Sequence, residues 1–295
     1  MRKSIFSGSA AALTTPFKAD MSIDYSVLEQ MIEFQLANNT DALVICGTTG
    51  ETPALEDSEH KRLIKFCINK VGGRVPVIAG AGSNNTTRAL DFAEFAKEVG
   101  ADAHLQITPY YNRTTQQGII NHFLYIADRI NLPMIVYNVP SRTGVNIAPE
   151  TYLKLSRHKN IIAAKEANPD LAALARTLSL CKKNLDIYCG DDSVITPMLA
   201  LGAKGVISVM ANIVPQQTHQ LCADFFAGNV QKSAQAQTEL TGLIRALFAE
   251  PNPIPVKAAQ QMMGFDVGLP RRPLVKAGKK CVKELERQMK KLRLI

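Results

Sequence analysis

The sequence predicts an α/β fold, a (β/α)8 TIM barrel with additional C-terminal helices. Eight short apolar runs follow one another along the first 209 residues, and segments with helical periodicity separate them. No low-complexity stretch or linker divides the chain. Eight strand–helix units at this length are what such a barrel needs. A doubly wound open sheet is the structural alternative, but no Gly-x-Gly-x-x-Gly motif follows the first run.

The predicted strands are apolar at most positions, which is typical of parallel strands that are buried on both faces. They span Gly8–Thr15, Asp41–Cys46, Val75–Ala81, Ala103–Thr108, Met134–Val139, Ile161–Ala167, Leu185–Cys189 and Gly205–Val209. Between them, Thr86-Thr87 and Thr114-Thr115 each precede apolar residues at helical spacing. Threonine is a preferred N-cap residue, so we expect helices to begin at these two pairs.

About eighty residues follow the eighth predicted strand, and they are rich in helix formers. We therefore predict the barrel over residues 1–214 and extra helices over residues 215–295. These helices are expected to pack on the barrel instead of forming an independent domain, because no linker precedes them.

The positive charge of the chain is concentrated at its C-terminal end. The formal net charge is +8, and residues 271–295 hold ten Lys or Arg and two Glu, which accounts for the whole excess. Leu285, Met289 and Leu292 supply an apolar stripe at helical spacing in this stretch. The pattern favours an amphipathic helix with a solvated basic face over a nucleic-acid surface.

Other classes of protein are disfavoured by composition. The six cysteines form no Cys-x-x-Cys pair and the five histidines are isolated, so neither a disulfide framework nor a metal site is expected. No apolar run approaches the roughly 18 residues of a membrane helix. The first six residues lack the apolar stretch of a secretory signal. We therefore expect a cytoplasmic protein without a membrane partner.

Lys165 interrupts the apolar strand Ile161–Ala167. Burial removes water from an ammonium group, so its pKa falls and the neutral amine becomes accessible near neutral pH. Such an amine is the usual nucleophile for forming a Schiff base with a carbonyl substrate. The alternative is a strand-end lysine whose ammonium reaches the surface.

Several of the predicted strands end in polar motifs, and the C-terminal ends of the strands are where active sites lie in a barrel. The motifs are Gly47-Thr48-Thr49-Gly50-Glu51, Thr108-Pro109-Tyr110-Tyr111-Asn112, Tyr137-Asn138-Val139-Pro140-Ser141-Arg142 and Gly190-Asp191-Asp192. A nucleophile would thus lie among proton-transfer groups and anion binders. Taken singly, the glycine-threonine motif also fits a simple turn, Tyr137 a core tyrosine and Arg142 a solvated charge. Glu166 points to the strand face opposite Lys165, so we do not assign it as an acid–base partner.

These motifs resemble the dihydrodipicolinate synthase family, within the pyruvate-dependent class I aldolases and lyases, over essentially the whole chain. The more telling block is Asn138-Val139-Pro140-Ser141-Arg142-Thr143-Gly144. The resemblance implies that Lys165 forms an imine with pyruvate, whose enamine attacks L-aspartate 4-semialdehyde in the committed step of lysine and diaminopimelate biosynthesis. It implies no cofactor and no metal, since the imine itself is the electron sink. It also implies a homotetramer, a dimer of dimers.

The resemblance further implies individual roles for residues of the site. Tyr137 would transfer protons, and Thr48 would link it to Tyr111 of a neighbouring subunit. The remaining substrate contacts would come from Thr48 and Thr49 on the pyruvate carboxylate, Arg142 on the semialdehyde carboxylate, and backbone groups of Gly190 and Ile207 near the lysine.

Some members of the family are inhibited by L-lysine, and this chain matches their pattern only in part. Asn84, Tyr110 and His60 agree with that allosteric pattern. Asp57 stands where sensitive members tend to carry histidine, and Arg88 where they carry glutamate. A cationic Arg88 would repel the lysine side chain. We therefore predict weak or absent inhibition.

Two further functions compete with this interpretation. Another imine-forming lyase, an N-acetylneuraminate lyase or a keto-deoxy sugar acid aldolase, would share Lys165, Tyr137 and the threonines. Arg142 and Tyr111 favour a short carboxylated aldehyde over a polyol. A non-catalytic barrel that senses a carboxylate is the alternative from another class, but a sensor needs no imine-forming lysine.

Overall fold

The computed structural model describes residues 4–295 and contains a closed barrel of eight parallel strands. The strands are β1 Gly8–Ala12, β2 Ala42–Ile45, β3 Val77–Gly80, β4 Ala103–Ile107, β5 Met134–Asn138, β6 Ile161–Glu166, β7 Asp186–Cys189 and β8 Gly205–Ser208. Each strand pairs with the next, and β8 pairs with β1 to close the barrel. The predicted fold class is confirmed. Residues 1–3, which enter the argument about a secretory signal, lie outside the described residues.

Helices alternate with the strands and continue after the last one. They are α1 Tyr25–Ala37, α2 Asp57–Val71, α3 Thr86–Glu98, α4 Gln116–Arg129, α5 Pro140–Thr143, α6 Pro149–Leu155, α7 Leu171–Cys181, α8 Ile195–Leu201, α9 Pro215–Phe226, α10 Val230–Leu247, α11 Ile254–Met262 and α12 Lys279–Lys291. Helix α9 contacts β1 and so covers the barrel itself, α10 packs against α8 and α9, and α11 and α12 pack against α10 and against each other. The division of the chain at residue 214 stays a prediction.

The capping prediction is right for one helix and wrong for the other. Thr115 caps α4, since its hydroxyl accepts a hydrogen bond from the backbone N–H of Gly118. Helix α3 is instead capped by Asn85, whose side chain accepts hydrogen bonds from the N–H groups of Thr87 and Arg88. Asparagine is the better N-cap residue, because its side-chain oxygen reaches both free backbone donors.

Apolar side chains fill the barrel interior and the layer between strands and helices. The interior cluster includes Ala10, Val44, Ile78, Ile135 and Ile207. The predicted stripe of α12 is confirmed, because Leu285 and Met289 are fully buried and Leu292 packs against the core. All six cysteines are buried and free. Among residues 4–295, no helix is long and apolar enough to cross a membrane.

Candidate active site

Lys165 lies at the C-terminal end of β6 with its side chain inside the barrel. The strand register places it level with Tyr137 of β5 and Tyr188 of β7. Only 6% of the residue is exposed, and its Nζ lies 4.5 Å from the centre of the Tyr137 ring. Burial lowers the pKa of Lys165 to about 8, and the charge of Asp192 opposes that shift. A substantial fraction of the amine is therefore neutral near physiological pH.

A cavity of about 390 Å³ opens above the lysine at the carboxyl end of the strands. The cavity is lined by Lys165 and by five other residues of the predicted site: Thr48, Thr49, Tyr137, Arg142 and Gly190. Ile207 instead belongs to the apolar cluster inside the barrel, and Val209 lines the cavity at the end of β8. The polar motifs therefore lie together at the carboxyl end of the strands, which forms the mouth of the barrel, and not at the opposite end.

The segment Gly47–Glu51 carries the two threonines in a 3₁₀ turn directly after β2. Thr48 lies beside the Tyr137 side chain, and both residues line the cavity. Burial raises the pKa of Tyr137, and the Arg142 charge and the Thr48 hydroxyl act against the rise. The phenol therefore stays protonated at neutral pH and is placed to donate or relay a proton.

Arg142 projects into the cavity from the short helix α5, where Pro140 occupies the first turn. Its Nη2 donates a hydrogen bond to the backbone oxygen of Asn252, at 3.0 Å. The side chain of Asn252 donates to Thr49 Oγ1 at 2.9 Å. One residue of the C-terminal region thus touches both the arginine and the threonine segment.

Sequence reasoning missed the C-terminal contribution to the site. Asn252, together with Ile244, Arg245 and Phe248 near the end of α10, lines the same cavity as Lys165. The available signal was the proline-rich stretch 250–255, which interrupts the helical pattern between α10 and α11. Such prolines fix a loop geometry, but nothing in their spacing indicates which strand end the loop approaches.

Gly190 permits the close approach of the chain to the lysine. A Cβ at this position would lie 3.1 Å from Lys165 Cε and 2.9 Å from the Cβ of Ala167. Its N–H donates to the Glu166 carbonyl at 2.7 Å. Any larger residue would therefore crowd the nucleophile.

Glu166 faces away from Lys165, as predicted. Its carboxylate accepts hydrogen bonds from Tyr152 Oη at 2.7 Å and from Asn138 Nδ2 at 2.9 Å, in the layer between β6 and the helices. Burial raises its pKa to about 7. The group braces β5 against β6 and the neighbouring helix α6 and takes no part in the cavity.

Tyr111 is not brought into the cavity of its own chain. Its side chain is 92% exposed, and the residue has a left-handed backbone with φ of 68°. Tyr110, by contrast, lines a smaller cavity of about 60 Å³ that also touches Thr48 and Tyr137. A role for Tyr111 therefore depends on a second subunit.

The residues expected at the allosteric position lie on one side of the barrel mouth. His60 is fully buried, with its Nε2 at 2.7 Å from the Gly80 oxygen, and burial lowers its pKa to about 4. The backbone oxygen of Asn84 accepts a hydrogen bond from Asn112. Arg88 is not the isolated cation that the sequence suggested, because Asp57 forms an ion pair with it.

Comparisons with known proteins agree with this geometry. A profile of the dihydrodipicolinate synthetase family matches residues 5–292. The chain belongs to the dihydrodipicolinate synthetase family. It is 48% identical over 295 residues to a 4-hydroxy-tetrahydrodipicolinate synthase of Acetivibrio thermocellus, which covers 100% of both chains.

Solved structures of family members have the same fold. A dihydrodipicolinate synthase from Thermotoga maritima superposes with a TM-score of 0.97 at 41% identity, covering 99% of this chain and 100% of that one. The enzyme from Acinetobacter baumannii in complex with pyruvate gives a TM-score of 0.96 at 36% identity, with 98% and 99% covered. The predicted family and enzyme class are confirmed: the protein is a lyase of the dihydrodipicolinate synthetase family, and the sialic acid or sugar acid lyase is not favoured.

Proposed function

We propose that this lyase condenses pyruvate with L-aspartate 4-semialdehyde through an imine on Lys165. The observation that carries the proposal is a buried lysine of lowered pKa at the base of a cavity that also holds Tyr137, the two threonines and Arg142. The set supplies a nucleophile, a proton donor and binding groups for carboxylates. Pyruvate is the ligand recorded for the Acinetobacter relative.

The reaction follows from the chemistry of the amine. Neutral Lys165 attacks the keto carbon of pyruvate and water leaves, which forms a protonated imine. Loss of a methyl proton gives the enamine, whose carbon attacks the aldehyde of the second substrate and forms the new carbon–carbon bond. The amino group of that substrate then adds to the imine carbon and releases the lysine, so the product is the cyclic 4-hydroxy-tetrahydrodipicolinate.

The side chains of the cavity divide this work. Tyr137 moves the protons that the addition, dehydration and enamine steps require, and the neighbouring Thr48 hydroxyl orients the phenol by hydrogen bonding, as the resemblance implies. Thr48 and Thr49 hold the pyruvate carboxylate, with backbone groups of Gly190 and, as the resemblance implies, Ile207 near the lysine. The Arg142 guanidinium binds the semialdehyde carboxylate, for which its planar donors are suited.

Reductive trapping tests the proposed function directly. The protein is incubated with pyruvate and sodium cyanoborohydride, digested, and the mass increment is located by mass spectrometry. We expect one pyruvate adduct on Lys165, together with turnover when aspartate semialdehyde is added and none with N-acetylmannosamine or sugar aldehydes. An adduct on Lys165 combined with turnover of the sugar aldehydes alone would replace this function with the sugar acid lyase, and absence of an adduct would overturn both.

The rate of imine formation should depend on pH in the way that the lysine pKa dictates. Only the neutral amine attacks, so the rate should rise about tenfold per pH unit below about 8 and level off above it. The measurement is the initial rate of cyanoborohydride trapping at saturating pyruvate from pH 6 to 10. A rate that still rises about tenfold per unit between pH 8 and 9.5, as an amine with the ordinary pKa of 10.5 would give, would show that burial does not activate this amine.

L-Lysine should inhibit this enzyme weakly or not at all. Arg88 and Asp57 occupy each other in an ion pair with a hydrogen bond of 2.9 Å from Nε, so the Asp57 carboxylate is not free to bind the lysine ammonium. The pair also reduces the repulsion expected from Arg88 alone. Steady-state rates are measured with L-lysine against D-lysine at equal ionic strength. A sharp fall in rate at modest L-lysine concentrations would contradict the prediction.

A cytoplasmic homotetramer, built as a dimer of dimers, completes the proposal. The exposed Tyr111 supports a subunit contact at that face, since a tyrosine with 92% exposure covers no part of its own chain. Sedimentation of the wild type and of Tyr111→Ala tests it: the proposal expects a tetramer for the wild type and weaker assembly with lower turnover for the variant.

A further inference from the structure

Glu51 closes the turn that carries the two threonines, and its backbone is in an uncommon conformation. Its N–H donates to the Thr48 oxygen, and its φ of 58° and ψ of 33° lie in the left-handed region. A residue with a side chain adopts that region only where its surroundings hold it there. Glu51 belongs to the motif that opens the site, yet the reaction assigns it no role.

Lys257 of α11 supplies the contact that holds this glutamate. Its Nζ donates to Glu51 Oε1 at 2.9 Å, to the Thr15 oxygen at 3.0 Å and to the Leu269 oxygen at 3.3 Å. These three acceptors use all three ammonium donors. The ammonium also lies 4.3 Å from the centre of the Phe17 ring.

The second oxygen of Glu51 is held as well. Arg271 donates its backbone N–H to Oε2 at 2.7 Å, and its guanidinium binds Glu59 and the Ala54 oxygen at the start of the next helix. The Glu51 and Lys257 side chains are only 1% and 2% exposed. A buried ion pair of this kind loses much of its attraction to desolvation, so net stabilisation alone does not account for it.

The loop just before α11 also contacts the threonine turn, at Thr49. Asn252, five residues before Lys257, donates to Thr49 Oγ1, and Thr15 donates its hydroxyl to the Gly50 oxygen at 2.7 Å. The threonine turn is therefore held at Thr49, Gly50 and Glu51. Thr48, which lies between these points and β2, is placed beside Tyr137 in the cavity.

We propose that Lys257 is a positioning residue for the Thr48–Thr49 turn. By holding Glu51 in its left-handed conformation, Lys257 keeps the turn closed, Thr48 against Tyr137 and both threonine hydroxyls at the cavity where the pyruvate carboxylate is bound. The inference deepens the proposed function and rests on it. Lys257 itself touches neither substrate, so its effect passes through the turn.

Two variants separate positioning from stability. Lys257→Met leaves Glu51 buried without its counter-charge and is expected to melt at a lower temperature. In the Glu51→Gln/Lys257→Met double variant both charges are gone, so much of the melting temperature should return. In both variants we expect the apparent pyruvate KM to rise and Lys165 trapping to slow by about tenfold to 100-fold, since small displacements of a binding group have effects of that size. The aspartate semialdehyde KM should stay near the wild-type value.

A core truncation far from the turn is the matched control. Leu285→Ala removes a fully buried side chain of α12 and should lower the melting temperature while Lys165 is trapped at the wild-type rate. If Lys257→Met does not fold, the double variant alone tests whether Lys257 positions the turn. Normal trapping and pyruvate KM in a folded variant would overturn the inference and leave a purely structural ion pair. Failure of the wild type itself to form the Lys165 adduct would instead remove the proposed function.

Discussion

Replacing Lys165 with methionine is expected to abolish the pyruvate adduct and to lower kcat by about 10³-fold or more, as is usual when a covalent nucleophile is lost. The remaining side chains of the cavity still bind both substrates, so a small residual rate is consistent with the prediction. No other lysine lines the cavity above β6 among the described residues. The lost activity should therefore not reappear through a neighbouring amine.

The same substitution should leave the fold intact, which makes its kinetic result interpretable. Lys165 is 6% exposed, and its ammonium is costly to bury, whereas a methionine of similar length fills the same space without charge. We expect a melting temperature equal to or above that of the wild type. Lys279→Met, on the exposed face of α12, is the matched control and should keep full activity. A Lys165 variant that keeps more than about a tenth of the wild-type kcat would contradict the imine mechanism.

The strands of this fold were predictable because their physical cause is local. A parallel strand buried on both faces is a continuous apolar run, and each of the eight runs begins and ends within a few residues of a strand. The predicted strands are too long where the chain stays extended but forms its backbone hydrogen bonds with residues outside the barrel sheet. After Ala12, for example, the Thr14 N–H binds Asn212 Oδ1 and the Phe17 N–H binds the Val267 oxygen.

The residues of the site that lie at or just after strand ends were predictable for the same reason. Lys165 and Tyr137 lie at the carboxyl ends of their strands, and Thr48 and Arg142 follow strands within a few residues. The topology of a barrel is therefore enough to bring all four to one mouth. Contacts between distant segments carry no such signal. Asn252 reaches Thr49 across 203 positions, Lys257 reaches Glu51 across 206, and each pair depends on how α10 and α11 cross the barrel mouth.

Arg88 shows the same limit on the surface. Its charge was assigned from its position in the sequence, and the partner that neutralises it, Asp57, lies 31 residues away at the start of another helix. Surface ion pairs depend on side-chain directions that neither periodicity nor composition specifies. The sequence therefore indicates that a charged residue such as Arg88 is exposed to solvent, but it does not indicate whether a neighbouring side chain neutralises that charge.

Replacing Tyr137 with phenylalanine is expected to lower kcat by about 10²- to 10³-fold with little change in stability. The ring lies under the Lys165 ammonium and packs in the barrel interior, and phenylalanine keeps both contacts. Only the hydroxyl is removed, together with its interaction with the neighbouring Thr48 hydroxyl. Because that hydroxyl supplies protons to several successive steps, the loss should appear in kcat more than in either KM.

Tyr188→Phe is the matched control for this prediction. Tyr188 lies level with Lys165 on the neighbouring strand and is fully buried, but its hydroxyl donates to the Phe6 oxygen at 2.8 Å, deeper in the barrel. Loss of that bond should cost about 1 kcal/mol of stability and leave kcat unchanged. Equal losses of kcat in the two variants would mean that barrel packing, and not proton transfer, limits the reaction.

A double variant shows whether Thr48 acts through Tyr137. Thr48→Val should reduce kcat by itself, since the phenol loses its orienting partner. If the threonine acts mainly by orienting that hydroxyl, Thr48→Val/Tyr137→Phe should be little slower than Tyr137→Phe alone, because residues that act as a unit are not additive. Fully multiplicative losses would instead mean that Thr48 acts mainly through its other proposed role, holding the pyruvate carboxylate, and a rise in the pyruvate KM of Thr48→Val would identify that role.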